Sequence, residues 1–125
     1  MADATGFLQA IREEPGDDGL RLIFADWLDE HGEPDRAEFI RLQVALASGT
    51  LGIAAMNAAR VREHQLLHNN IGRWVGKVRE VAEGWEFRRG MLHLKTGLAR
   101  FLEVGKFREV PPEWAWVESL RVSGS

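Results

Sequence analysis

Between Asp18 and Glu30 the apolar side chains fall at Leu20, Ile23, Phe24, Trp27 and Leu28. That is the i, i+3, i+4, i+7, i+8 stripe of an amphipathic helix, and it is the clearest periodic segment in the chain. Asp17 or Asp18 supplies an N-cap, His31 sits in the last turn, and Gly32 supplies the stop. Before it, Thr5 reads as the cap of a short helix carrying Phe7, Leu8, Ala10 and Ile11, which ends before Pro15. After it, Pro34 and Asp35 open a third helix that runs to about Ala47, and Ser48-Gly49-Thr50 and Gly52 break the pattern. A fourth helix is predicted from about Ala54 to Val75, with a stripe of His64, Leu67, Ile71, Trp74 and Val78. Asn69-Asn70 and Gly72 interrupt that stripe and are candidate breakers.

Beyond Gly84 the period shortens from 3.6 towards 2. Trp85-Glu86-Phe87-Arg88 alternates, Gly90 marks a bulge or turn, and Met91-Leu92-His93-Leu94-Lys95 alternates again. Leu98, Phe101 and Leu102 suggest another helix, which Pro111-Pro112 bars from continuing. Val117 to Val122 then reads as a last strand. Leu92-His93-Leu94 precedes Leu120-Arg121-Val122 by 28 residues, which fits a right-handed parallel strand–helix–strand unit and the spacing of leucine-rich repeats. The expected fold is therefore α+β, one domain over residues 1–125. About four helices form an N-terminal bundle over 1–83, and a small β-α-β element over 84–125 resembles the cap of a leucine-rich repeat.

Composition changes this picture little. A chain of 125 residues, 45% hydrophobic and 28% charged, is ordinary for a globular domain. The absence of cysteine excludes disulfides, thiolate metal sites and cysteine nucleophiles, and fits a cytoplasmic location. No signal peptide or membrane span is legible. Charge is more informative. Residues 1–59 hold 4 basic and 11 acidic side chains, and residues 60–125 hold 12 and 8. This asymmetry either steers a partner or lets the two halves attract one another. The basic half has no concentrated Lys/Arg stripe, which speaks against nucleic acid; that reading would need Arg88, Arg89, Lys95 and Arg100 to form a patch.

The segment Leu20-Arg21-Leu22-Ile23-Phe24-Ala25-Asp26-Trp27-Leu28-Asp29-Glu30-His31-Gly32-Glu33-Pro34, followed by Ala37-Glu38-Phe39-Ile40-Arg41-Leu42-Gln43, resembles the bacterial repeat-companion domain. That family is abundant in planctomycetes and often lies beside leucine-rich or other repeats. Arg62 to Leu67, Gly72-Arg73-Trp74 and Trp85 to Gly90 extend the likeness over most of the chain. Ala37 stands where the family usually has Gly, and no array of repeats follows Val122. The resemblance implies an accessory module beside interaction surfaces, and it carries no catalytic residues.

Candidate chemistry follows from residue types. His64 and His68 lie one helical turn apart, as paired zinc ligands do, but Gln65 stands where a metalloprotease has Glu. A small metal-dependent hydrolase built on these histidines and nearby carboxylates is one alternative, with His31 or His93 as a third ligand; nucleic-acid binding is another. Asp26, near the apolar stripe and within reach of Arg21, Arg36 and Arg41, is expected to form a buried structural Asp–Arg pair, with Arg36 and Arg41 the candidates, locking the second helix to the third. Breaking such a pair costs about 3–5 kcal/mol. Asp29, Glu30 and Glu33 crowd the turn between those helices as a candidate contact surface. Trp114 and Trp116 form either an aromatic platform or part of the core. Glu118 and Arg121 mark the last strand, whose edge either accepts another strand or is simply solvated. The leading expectation is a noncatalytic protein-interaction or repeat-capping module, with no cofactor or metal and a protein partner.

Overall fold

The computed structural model describes residues 4–76, 78, 82–97 and 115–123. Helices α1 (Ala4–Glu13), α2 (Asp18–Glu30), α3 (Pro34–Ser48) and α4 (Ile53–Trp74) precede strands β1 (Gly84–Arg88), β2 (Met91–Gly97) and β3 (Val117–Ser123). The mixed α+β class and the order of helices before sheet agree with the sequence reading. The expected helix at Leu98–Leu102 and Pro111-Pro112 lie outside the described residues. Among those residues no helix is long and apolar enough to cross a membrane.

Apolar side chains on two faces make α3 the central helix. Ala37, Ile40 and Val44 join Leu8, Ile11, Phe24, Ala25, Leu28 and Met91 in one cluster. Phe39 turns the other way and packs with Leu66, Trp74, Val75, Val78, Phe87, Leu92 and Leu94. The sheet therefore closes the core from the α3–α4 side.

Helix caps follow the sequence closely. The Asp17 side chain accepts the Leu20 N–H, and Gly32 takes the left-handed conformation with φ of 81°. Thr5, expected as a cap, lies inside α1. The buried face of α2 also differs from the expected stripe: Arg21, Phe24, Ala25 and Leu28 face inward, and Ile23 is 56% exposed. Arg21 can occupy that face because other groups accept from both of its Nη nitrogens, and apolar periodicity carries no sign of them.

α4 is buried through Ala59, Leu66, Asn70 and Trp74. His64 lies about 200° around the helix from Leu66 and is exposed, so it is not part of the inward stripe. Asn70 does not break the helix. Its Nδ2 donates to Leu66 O at 2.8 Å and to Asp35 Oδ2 at 3.1 Å, so this polar side chain ties α4 to α3.

The sheet order is β1-β2-β3, with β1–β2 antiparallel and β2–β3 parallel. Arg89 and Gly90 join the hairpin in two residues, both at positive φ, the pattern of a type I′ turn. A Cβ on Gly90 would collide with the Ile40 side chain, so the turn is pressed onto α3. Leu92 pairs with Val117 but His93 with Ser119, leaving Glu118 as the extra residue of a bulge.

Candidate functional site

The bulge aims Glu118 into the protein. Its Oε1 accepts from Arg21 Nη2 at 2.6 Å, and its Oε2 lies 2.8 Å from His93 Nε2. Arg21 is 1% exposed and also donates to Pro15 O at 2.8 Å and Arg89 O at 3.1 Å. His93 Nδ1 lies 2.6 Å from Ser119 Oγ. The hydroxyl, imidazole and carboxylate thus stand in series, but the carboxylate also neutralises a buried cation. The arrangement fastens β3 to α2. Glu118, expected as a surface contact, is a buried structural residue, whereas Arg121 is exposed on the same strand.

The expected buried pair around Asp26 is corrected. Arg41 Nη2 donates to Asp26 Oδ1 at 2.7 Å, and Arg41 Nη1 lies 2.6 Å from Asp29 Oδ2, so α2 and α3 are bridged. The Asp26 side chain is 73% exposed, however, and the bridge lies in solvent. The two carboxylates raise the Arg41 pKa, with the Asp26 hydrogen bond the larger cause. Arg36 takes no part in this bridge.

Arg36 instead lies 2% exposed between aromatic rings. Its guanidinium carbon is 3.6 Å from the Trp116 ring centroid, 4.9 Å from that of Trp74 and 5.0 Å from that of Phe87. Ring faces attract a cation, but they leave its in-plane N–H groups to find acceptors. Nη2 reaches the Gly90 carbonyl at 3.4 Å, and Nε has no acceptor among the described residues. Burial pulls the Arg36 pKa well below the ordinary guanidinium value, to about 9, with Glu33 opposing that shift and Arg73 adding to it. The group is still charged at neutral pH.

Beside this cation lies a cleft of about 340 Å³ where the end of α2, the start of α3 and the end of α4 converge. Its walls include Trp27, Arg36, Trp74 and Trp116, with His31, Glu33 and Arg73 among the polar side chains. His31 stacks on Trp27 with centroids 3.8 Å apart, and its Nδ1–H donates to Trp27 O at 2.7 Å. Trp116 also packs on Phe24, with centroids 5.2 Å apart. Trp116 therefore takes the core alternative, partly buried against the first cluster, with the rest of its ring on the cleft wall. Trp114 lies outside the described residues. Of the acidic turn, Glu33 lines the cleft and sits 3.5 Å from Arg73, while Glu30 is exposed beside it.

His64 and His68 share the exposed outer face of α4 with Arg60 and Arg62. Among the described residues no group of three histidines or carboxylates is placed to hold a metal ion. The basic residues are also dispersed: Arg89 donates to Asp18 Oδ1 at 2.8 Å, Arg88 is bound by Glu86, and Lys95 is exposed. Arg100 lies outside the described residues.

Sequence reasoning named Arg36 but gave it the wrong partner, and it did not join Trp27, Trp74 and Trp116. The one available signal was an Arg at the third position of α3, on a helix otherwise apolar at that face. Comparison with known proteins found no matching family model, no matching curated relative and no matching solved structure.

Proposed function

We propose that this chain is a noncatalytic docking module that caps a stack of parallel strands, its partner being a repeat domain that adds the next strand beside β3. The observation that carries this reading is the sheet order. β1 runs antiparallel along one side of β2, while β3 runs parallel along the other and has a single neighbour among the described residues. A hairpin closes one edge, and a parallel strand begins an array at the other. Strand addition suits such an edge, because main-chain groups of β3 can pair with any extended segment. The likeness of residues 20–43 to the repeat-companion domain supports the same reading, and the lack of cysteine supports a cytoplasmic setting.

The test is to append two consensus leucine-rich repeats after Ser125 and follow unfolding together with amide hydrogen exchange. Capping predicts one cooperative transition and slowed exchange at the backbone of residues 117–123. Two independent transitions with unchanged exchange in β3 would rule it out.

A further inference from the structure

We propose that the tryptophan-lined cleft binds a carboxylate carried on an apolar body about the size of one amino-acid residue. Two observations support this. First, the cleft has apolar walls but a cationic floor. Arg73 is offset by Glu33 at 3.5 Å, whereas Arg36 has no acidic side chain in contact among the described residues. Second, two residues that line it carry buried donors without acceptors among the described residues, Arg36 Nε and Trp74 Nε1. Buried donors left unpaired are costly, and an incoming carboxylate offers two oxygens with several lone pairs. The start of α3 itself adds little attraction, because Glu33 at the cap position and Asp35 in the first turn offset the positive end of its dipole. The volume of about 340 Å³ is at the small end of ligand sites and suits one bulky side chain plus its carboxylate. The three indoles give that side chain flat apolar surfaces.

Such a group occurs at a chain terminus or on an acidic side chain next to an apolar one. Binding is independent of the strand edge, so its failure would leave the capping reading untouched, and the reverse also holds.

Three probes test it by titration calorimetry and by the indole N–H resonance of Trp74. N-acetylphenylalanine carries a terminal carboxylate, N-acetylphenylalanine amide carries none, and N-acetylphenylalanyl-glutamic acid α-amide carries one on a side chain. At least one carboxylate probe is expected to bind ten-fold or more tighter than the neutral amide and to move the Trp74 resonance; the tighter of the two identifies the source. Arg36→Met is expected to abolish the preference while the protein stays folded, since replacing an uncompensated buried cation by an apolar side chain relieves desolvation. Should that variant not fold, Glu33→Gln serves instead and is expected to tighten acid binding about three-fold or more by removing the opposing carboxylate. Equal affinity for acid and amide, no binding of any probe at millimolar concentration, or acid preference unchanged in a folded Arg36→Met or in Glu33→Gln would overturn the proposal.

Discussion

Gln43 on α3 accepts the backbone N–H of Gly90 through its Oε1 at 2.8 Å, and so holds the hairpin turn from a position 47 residues earlier. The same side chain donates from Nε2 to the Phe87 carbonyl and to Glu63 Oε2, each at 3.1 Å. One amide thus satisfies both backbone groups flanking the turn and anchors the sheet to the central helix. Gln43→Ala leaves a donor and an acceptor without partners where water has little access. The expected loss is about 2–4 kcal/mol. Urea unfolding measures it, and the Gly90 amide should exchange faster than in the parent. Unchanged exchange there would mean that the turn holds itself.

Glu118 and Arg21 form a pair whose separation is more harmful than its removal. Glu118→Ala leaves the buried Arg21 guanidinium with two carbonyls and only the more distant carboxylate of Asp18, 3.7 Å from Nε, an expected cost of at most about 3–5 kcal/mol. Replacing both together, Arg21→Met with Glu118→Leu, removes the desolvated charges and is expected to recover most of that loss. A double-mutant cycle in denaturant checks this, and strict additivity of the two single changes would count against a coupled pair.

Gly90 and Gly32 share a backbone conformation but not an environment. Their φ angles are 85° and 81°, yet a Cβ on Gly90 would lie 3.1 Å from Ile40 Cβ and 3.3 Å from its Cα, while one on Gly32 meets nothing within 4 Å. Alanine at either site meets left-handed strain of about 1–2 kcal/mol. Only Gly90→Ala adds overpacking, typically another 1–3 kcal/mol. Thermal melts of the two variants should therefore separate clearly, with Gly90→Ala the lower.

Asp26→Ala is expected to change stability by at most about 1 kcal/mol. The bridge to Arg41 is exposed, and Asp29 remains to pair with the same guanidinium. The residual effect should shrink further in 1 M salt, where the Debye length is about 3 Å. A melting temperature many degrees below the parent at any salt concentration would show that Asp26 does more than the bridge accounts for.

Local pattern settled the elements. The caps at Asp17 and Gly32, Pro34 opening α3, and the alternation around Gly90 each depend on neighbours a few residues away, so strand and helix limits were legible within one or two residues. Two apolar strings flanking a predicted helix also anticipated the parallel pairing of β2 with β3, although Leu120 pairs with Leu94 rather than with Leu92. What the chain's own order could not reveal was which polar side chains go inside. Nothing near Arg21, Arg36 and Asn70 in the chain shows where their side chains go, because the groups they meet, Glu118, Trp116 and Asp35, are remote in sequence. Burial of a charged or amide group is decided by partners that exist only after packing. For the same reason Asp26, which looked internal by its place beside Ala25, faces water, and the cleft arises only where three helix ends and the start of β3 meet.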